Sequence, residues 1–113
     1  MANTVQIGRT DNDFGAVTPV GTTDATTAVL VNGINTATAA AGNTAVKLPT
    51  GAAGPIVVRN TAASAVTLLV FPPTGGSING GTVSTGSYSV AQNARAVFFP
   101  HPNGLDFTAI TSA

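Results

Sequence analysis

Charge is what this chain lacks most. Charged side chains make up 7% of its 113 residues, against roughly a quarter in an ordinary soluble domain. There is no glutamate. The full set is Arg9, Lys47, Arg59, Arg95, Asp11, Asp13, Asp24 and Asp106, which cancels to zero net charge. Four scattered cations do not make the basic patch that nucleic acid requires, so no nucleic-acid partner is expected. So few charges leave a free monomer poorly protected against self-association. A surface coated with Thr, Ser, Asn and Gly is one explanation. Burial of much of that surface in an assembly is the other, and the charge deficit favours it.

Cysteine is absent altogether, which excludes disulfides, thiolate metal sites and thiol catalysis. Tryptophan is also missing, and one Tyr and five Phe leave little for the aromatic platforms of carbohydrate sites. His101 is the sole histidine and sits between Pro100 and Pro102. A lone histidine without Cys or Glu companions makes a poor metal site. Asp11, Asn12, Asp13 and Gly15 echo the opening of a calcium loop, but Thr22 stands where the bidentate Glu belongs. The stretch therefore reads as a turn.

Catalytic constellations are equally scarce. Asp106 is the only carboxylate in the second half of the chain, with no partner for acid–base work. No Gly-x-Ser-x-Gly elbow occurs, and neither Gly75-Gly76 nor Gly80-Gly81 is followed by the Lys-Ser/Thr of a phosphate loop. No catalytic, cofactor-binding or metal-ligating residue is assigned, and an enzyme is not expected. Gln6, Arg9, Asp11 and Asp13 fall where a signal peptide needs an apolar run. No apolar stretch is long enough to suggest a membrane span.

What the chain does carry is a series of short β-type runs between Gly, Pro and Asn turns. Two of them, Ile56–Arg59 and Val66–Phe71, are joined by a polar link, Asn60–Ser64. In the second run Val66, Leu68 and Val70 share one face, and Leu69 and Phe71 share the other with Thr67. A strand apolar on both faces has to be covered on both faces. One side can meet the domain's own core; the other is expected to meet more chain or a neighbouring subunit. Ala94–Phe99 repeats the pattern, with Ala96 and Phe98 on one face and Val97 and Phe99 on the other beside Arg95.

The remaining runs fill in around these. Met1–Thr23, with Val5, Ile7 and Phe14, reads as an extended N-terminal arm; an ordinary edge strand with its loop is the alternative. Ala28–Val31 and Ile34–Ala39 flank Asn32-Gly33, the dipeptide preferred in a tight type I′ hairpin. Thr36, Thr38 and Gly42-Asn43 argue against a helix over Ala37–Ala41. Thr44–Pro49 is a strand with Val46 and Leu48 on one face. Ser77–Gly81 is a second Asn-Gly turn, with Ile78 anchored inward. Val83 and Tyr88–Ala91 supply short strand pieces. Ala94–Phe99 and Leu105–Ile110 form a hairpin around Pro100–Gly104, with Leu105, Phe107 and Ala109 facing inward. The fold class is all-β: a single-domain β-sandwich or jelly-roll-like barrel over residues 24–113, with an arm over 1–23.

Several segments resemble small β-structured virion proteins of tailed bacteriophages. They are Gly21–Thr26, Val31–Asn35, Ala45–Pro49, Val57–Ala62, Val66–Pro72, Ser77–Gly80, and Ser89–Ala91 before Ala94–Phe99. The resemblance runs over about Gly21–Ile110 and is one of turns and strands. It implies a virion structural protein, either a head decoration (cement) protein or a tail or fibre module that binds a receptor or glycan. Fibre modules are more often parts of longer chains, so a chain read as complete at 113 residues favours the capsid surface. The decoration type implies a homotrimer made in the host cytoplasm and bound to the major capsid protein. No cofactor, membrane or nucleic-acid partner is implied. Val5, Ile7, Phe14, Arg59, Leu69, Phe71, Arg95, Val97 and Phe99 are the candidate contact residues. For the receptor-binding alternative, Tyr88 and Phe107 are the aromatics to inspect.

Overall fold

The computed structural model describes residues 14–23 and 28–112. Eight strands follow one another: β1 (Phe14–Val17), β2 (Gly33–Ala37), β3 (Ala45–Lys47), β4 (Ile56–Asn60), β5 (Leu68–Phe71), β6 (Tyr88–Val90), β7 (Arg95–Pro100) and β8 (Phe107–Ser112). They form two sheets, one ordered β1-β2-β4-β7-β8 and the other β3-β5-β6. No helix occurs among the described residues. The architecture is an all-β sandwich.

Its first half is wound as a coil. β1 pairs with β2, β2 with β4, and β3 with β5, all in parallel. Parallel neighbours need a crossover between them. Here the crossover is a strand of the opposite sheet: β3 lies between β2 and β4 in the chain, and β4 between β3 and β5. Val29 adds a parallel bridge to Lys47, so the residues before β2 also visit the smaller sheet. The second half is antiparallel, β5 with β6, β4 with β7 and β7 with β8.

Alternation decides which face each strand buries. The five-stranded sheet turns Ala37, Ile56, Val58, Ala96, Phe98, Phe107 and Ala109 inward, and the smaller sheet supplies Val46, Leu68, Val70 and Val90. Each fully buried Val, Leu, Ile or Phe contributes about 1.5–3 kcal/mol. Tyr88 of β6 meets Phe98 of β7 edge to face, with ring centroids 5.6 Å apart, and so joins the two layers.

Several sequence expectations are realised. Asn79 and Gly80 both have positive φ, and the Gly81 amide donates to the Ile78 carbonyl at 3.0 Å, closing the expected tight turn with Ile78 buried. β7 and β8 form the expected hairpin.

Others need correction. Asn32-Gly33 makes no hairpin. Gly33 has positive φ but is the first residue of β2, and β2 pairs in parallel with strands on either side. Residues 28–31 bond to β3 instead, with the Leu30 amide donating to the Lys47 carbonyl. Val83 is in no strand and is exposed within a loop. For residues 14–23 the edge-strand alternative holds. Phe14–Val17 is the edge strand β1, and Val20 and Gly21 bond to the backbone of residues 44 and 45. Val5, Ile7 and the rest of the proposed arm lie outside the described residues.

Candidate functional site

The outer face of the five-stranded sheet carries a transverse row of apolar positions. Phe14 is paired with Ile34, Ile34 with Val57, Val57 with Val97, and Val97 with Ile110. From Ile34 to Ile110 the row crosses β2, β4, β7 and β8 at one level, because directly paired residues share a face. Ile34 is 48% exposed and Ile110 56%, while Val57 and Val97 between them are half-buried. The inward neighbours on these strands are sealed, so these apolar side chains stand on the solvent side of a closed core.

Different chemistry flanks the row on its two sides. Two residues along, Thr36, Arg59 and Arg95 form the next level, with the two arginines directly paired across β4 and β7. Both are exposed, and like charges placed opposite one another oppose strand pairing. On the other side Phe99 is paired with Thr108, and its ring is 41% exposed. A shallow depression of about 310 Å³ opens between β1 and β2, lined by Gly15, Ala16, Ile34 and Thr36.

The structure therefore gathers Arg59, Arg95, Val97 and Phe99 on one face, and Phe14 shares their sheet at the end of the row. Leu69 lies apart, half-buried in the smaller sheet. Phe71 is a correction. It is 6% exposed and belongs to the core of the single subunit, so at this position the second face of β5 is covered without a neighbour. In β7 the second face does stay partly open, through Val97 and Phe99. Sequence reasoning missed Ile34, Val57 and Ile110. Parity along a strand shows which residues share a face, but only the register shows that these three line up.

Asp106 and His101, the titratable groups of the connection between β7 and β8, are both engaged in hydrogen bonds. Asp106 accepts from the Asn103 side-chain amide at 2.7 Å and from the Ser77 amide and hydroxyl at 2.9 and 3.2 Å. The Asn103 bond, with help from Ser77 and against some loss of hydration, holds its carboxyl below the usual carboxylate range. His101 Nε2 bonds to the Thr108 hydroxyl at 2.8 Å. Among the described residues no three His, Cys, Asp or Glu side chains gather where they could hold a metal ion. The aromatics considered for a glycan platform are engaged elsewhere: Phe107 is 1% exposed, and the Tyr88 hydroxyl bonds to Thr111 at 2.6 Å. Comparison with protein families, with curated proteins and with solved structures finds no match.

Proposed function

We propose that this protein is a structural subunit of a phage virion, a capsid decoration protein that binds the major capsid protein lattice and has no catalytic role. The observation that carries the reading is the apolar row Ile34–Val57–Val97–Ile110 on the outside of a finished sandwich. A contiguous apolar face on a compact domain marks a surface that another protein covers. The near absence of charge supports the same reading, since 7% charged residues offer little to keep separate copies apart. Covering such a face favours the assembled state by mass action, which is how a bound subunit stabilises a shell. The choice of a virion rests on the likeness of the turns and strands to small phage β-proteins.

Antibody labelling of intact virions of the source phage, viewed by electron microscopy, tests this. Label over the head is expected. Label confined to the tail moves the protein to the receptor-binding alternative, and particles free of label overturn the virion assignment.

A further inference from the structure

We infer that the outer face of the five-stranded sheet is a self-complementary contact, closed by a second copy of this chain about a two-fold axis lying along the apolar row. The inference uses the register and the side chains it lines up, and does not presuppose a virion.

The row fixes the geometry. Packed sheets lie about 10 Å apart, with their strands within about 30° of alignment. Two identical sheets can meet face to face about two in-plane axes. An axis along the strands sets the Arg59–Arg95 level over its own copy, four guanidinium groups together. An axis along the row reverses the strand direction and leaves every strand over itself. Ile34, Val57, Val97 and Ile110 then each face their own copy. The Arg95 level of one subunit now lies over the Phe99 level of the other, because Arg95 and Phe99 sit two residues either side of Val97 on β7. A cation over an aromatic face is attractive, and more so when desolvated. The same turn moves each arginine pair away from its counterpart. Charge and apolar placement thus select one symmetry.

A two-fold contact of this kind is isologous and closes on itself. Five strands at about 4.8 Å and about 17 Å of strand length give a face of about 400 Å² in projection. That is below the roughly 800 Å² per partner of a standard stable interface, so the dimer dissociates on dilution. The family likeness implies a trimer; this face implies that the contact between copies is two-fold.

Sedimentation equilibrium over a concentration series decides the matter, with a reversible monomer–dimer equilibrium expected. Ile110→Asp, at an exposed position, is expected to give a monomer with an unchanged melting curve. Val83→Asp, in a loop away from the sheet, is expected to dimerise as the parent does. Arg95→Ala and Phe99→Ala are each expected to weaken the dimer about ten-fold, with the double variant no weaker than either. The chain has no cysteine, so Ile110→Cys gives one thiol per copy, and a short bis-maleimide is expected to link it into dimers while Val83→Cys stays single. A parent chain that is monomeric at high micromolar concentration, a trimer, or equal cross-linking at both positions overturns the inference. If Ile110→Asp does not fold, the cross-linking pair still decides. Particle labelling and solution mass are read separately: a dimer assigns this face to a second copy and leaves the virion reading on the likeness of turns and strands, while a monomer whose label lies over the head leaves the face to the capsid.

Discussion

The side-chain amide of Asn60, in β4, donates to the carbonyl of Val90, in β6, at 3.0 Å and so ties one sheet to the other. Asn60 is fully buried. Its Nδ2 also donates to the Val66 carbonyl at 2.8 Å, and its Oδ1 accepts from the amides of Ala39 and Ala62. One side chain thereby satisfies backbone groups from four stretches of chain. Asn60→Ala strands several of them away from water, and each buried unsatisfied group costs about 1–3 kcal/mol. We expect a loss of about 3 kcal/mol or more in urea denaturation. A variant within about 0.5 kcal/mol of the parent would show that relaxation or water replaces these bonds.

Gly76 sits beneath the loop that leads into β8. A Cβ there would fall inside contact distance of the Leu105 carbonyl, a backbone group that cannot swing aside. Its own amide donates to Pro73 and its carbonyl accepts from Ser84, which limits movement on its side as well. Gly76→Ala is expected to cost about 2–3 kcal/mol, as overpacking does elsewhere. Thermal melting of the variant beside the parent measures it.

Asn79 covers the outer edge of β8. Its Oδ1 accepts from the Ala109 amide at 2.8 Å and its Nδ2 donates to the Ala109 carbonyl at 3.2 Å, as a neighbouring strand would. An open edge is a template for unwanted pairing. Asn79→Gly keeps the turn, which has positive φ at this position, but removes the cover. Faster hydrogen exchange of the Ala109 amide is expected in this variant, with about 1 kcal/mol of lost stability. Unchanged exchange would assign the protection to the strand itself.

Asp106 predicts an acid-side effect. Its folded carboxyl titrates below the usual value of 3.8, chiefly because of the Asn103 bond. A depressed carboxylate contributes stability above its unfolded pKa and loses it as pH falls through the folded one. Stability should therefore fall as pH drops below about 3.8. Asp106→Asn should lack that share of the fall. Denaturation of parent and variant over the same acid series isolates it, since the other aspartates titrate in both. Parallel curves would mean that Asp106 contributes nothing to the pH dependence.

Local features of the fold were legible in the sequence, and relations between distant strands were not. The β7–β8 hairpin could be read because its turn, Pro100–Gly104, lies between its strands. Ile78 could be placed inward because its turn closes within four residues. Asn32-Gly33 misled because the same dipeptide can begin a strand when residues on both sides bond elsewhere. The coil of β1 to β5 left no local mark, since each parallel partner lies a full circuit away. For the candidate face, Arg95, Val97 and Phe99 followed from alternation within one strand. Ile34 and Ile110 required the register of four strands, and Phe71 was misjudged because parity assigns a residue to a face without showing what packs on that face.

β1 and β8 occupy opposite margins of the larger sheet and run in the same direction. Four strand spacings, about 19 Å, separate the margins. A circular permutant that joins Ser112 to Phe14 of the same copy therefore needs a tether of at least about six extended residues. A shorter one would pull the margins out of plane, so tether length decides which permutants keep the sandwich intact.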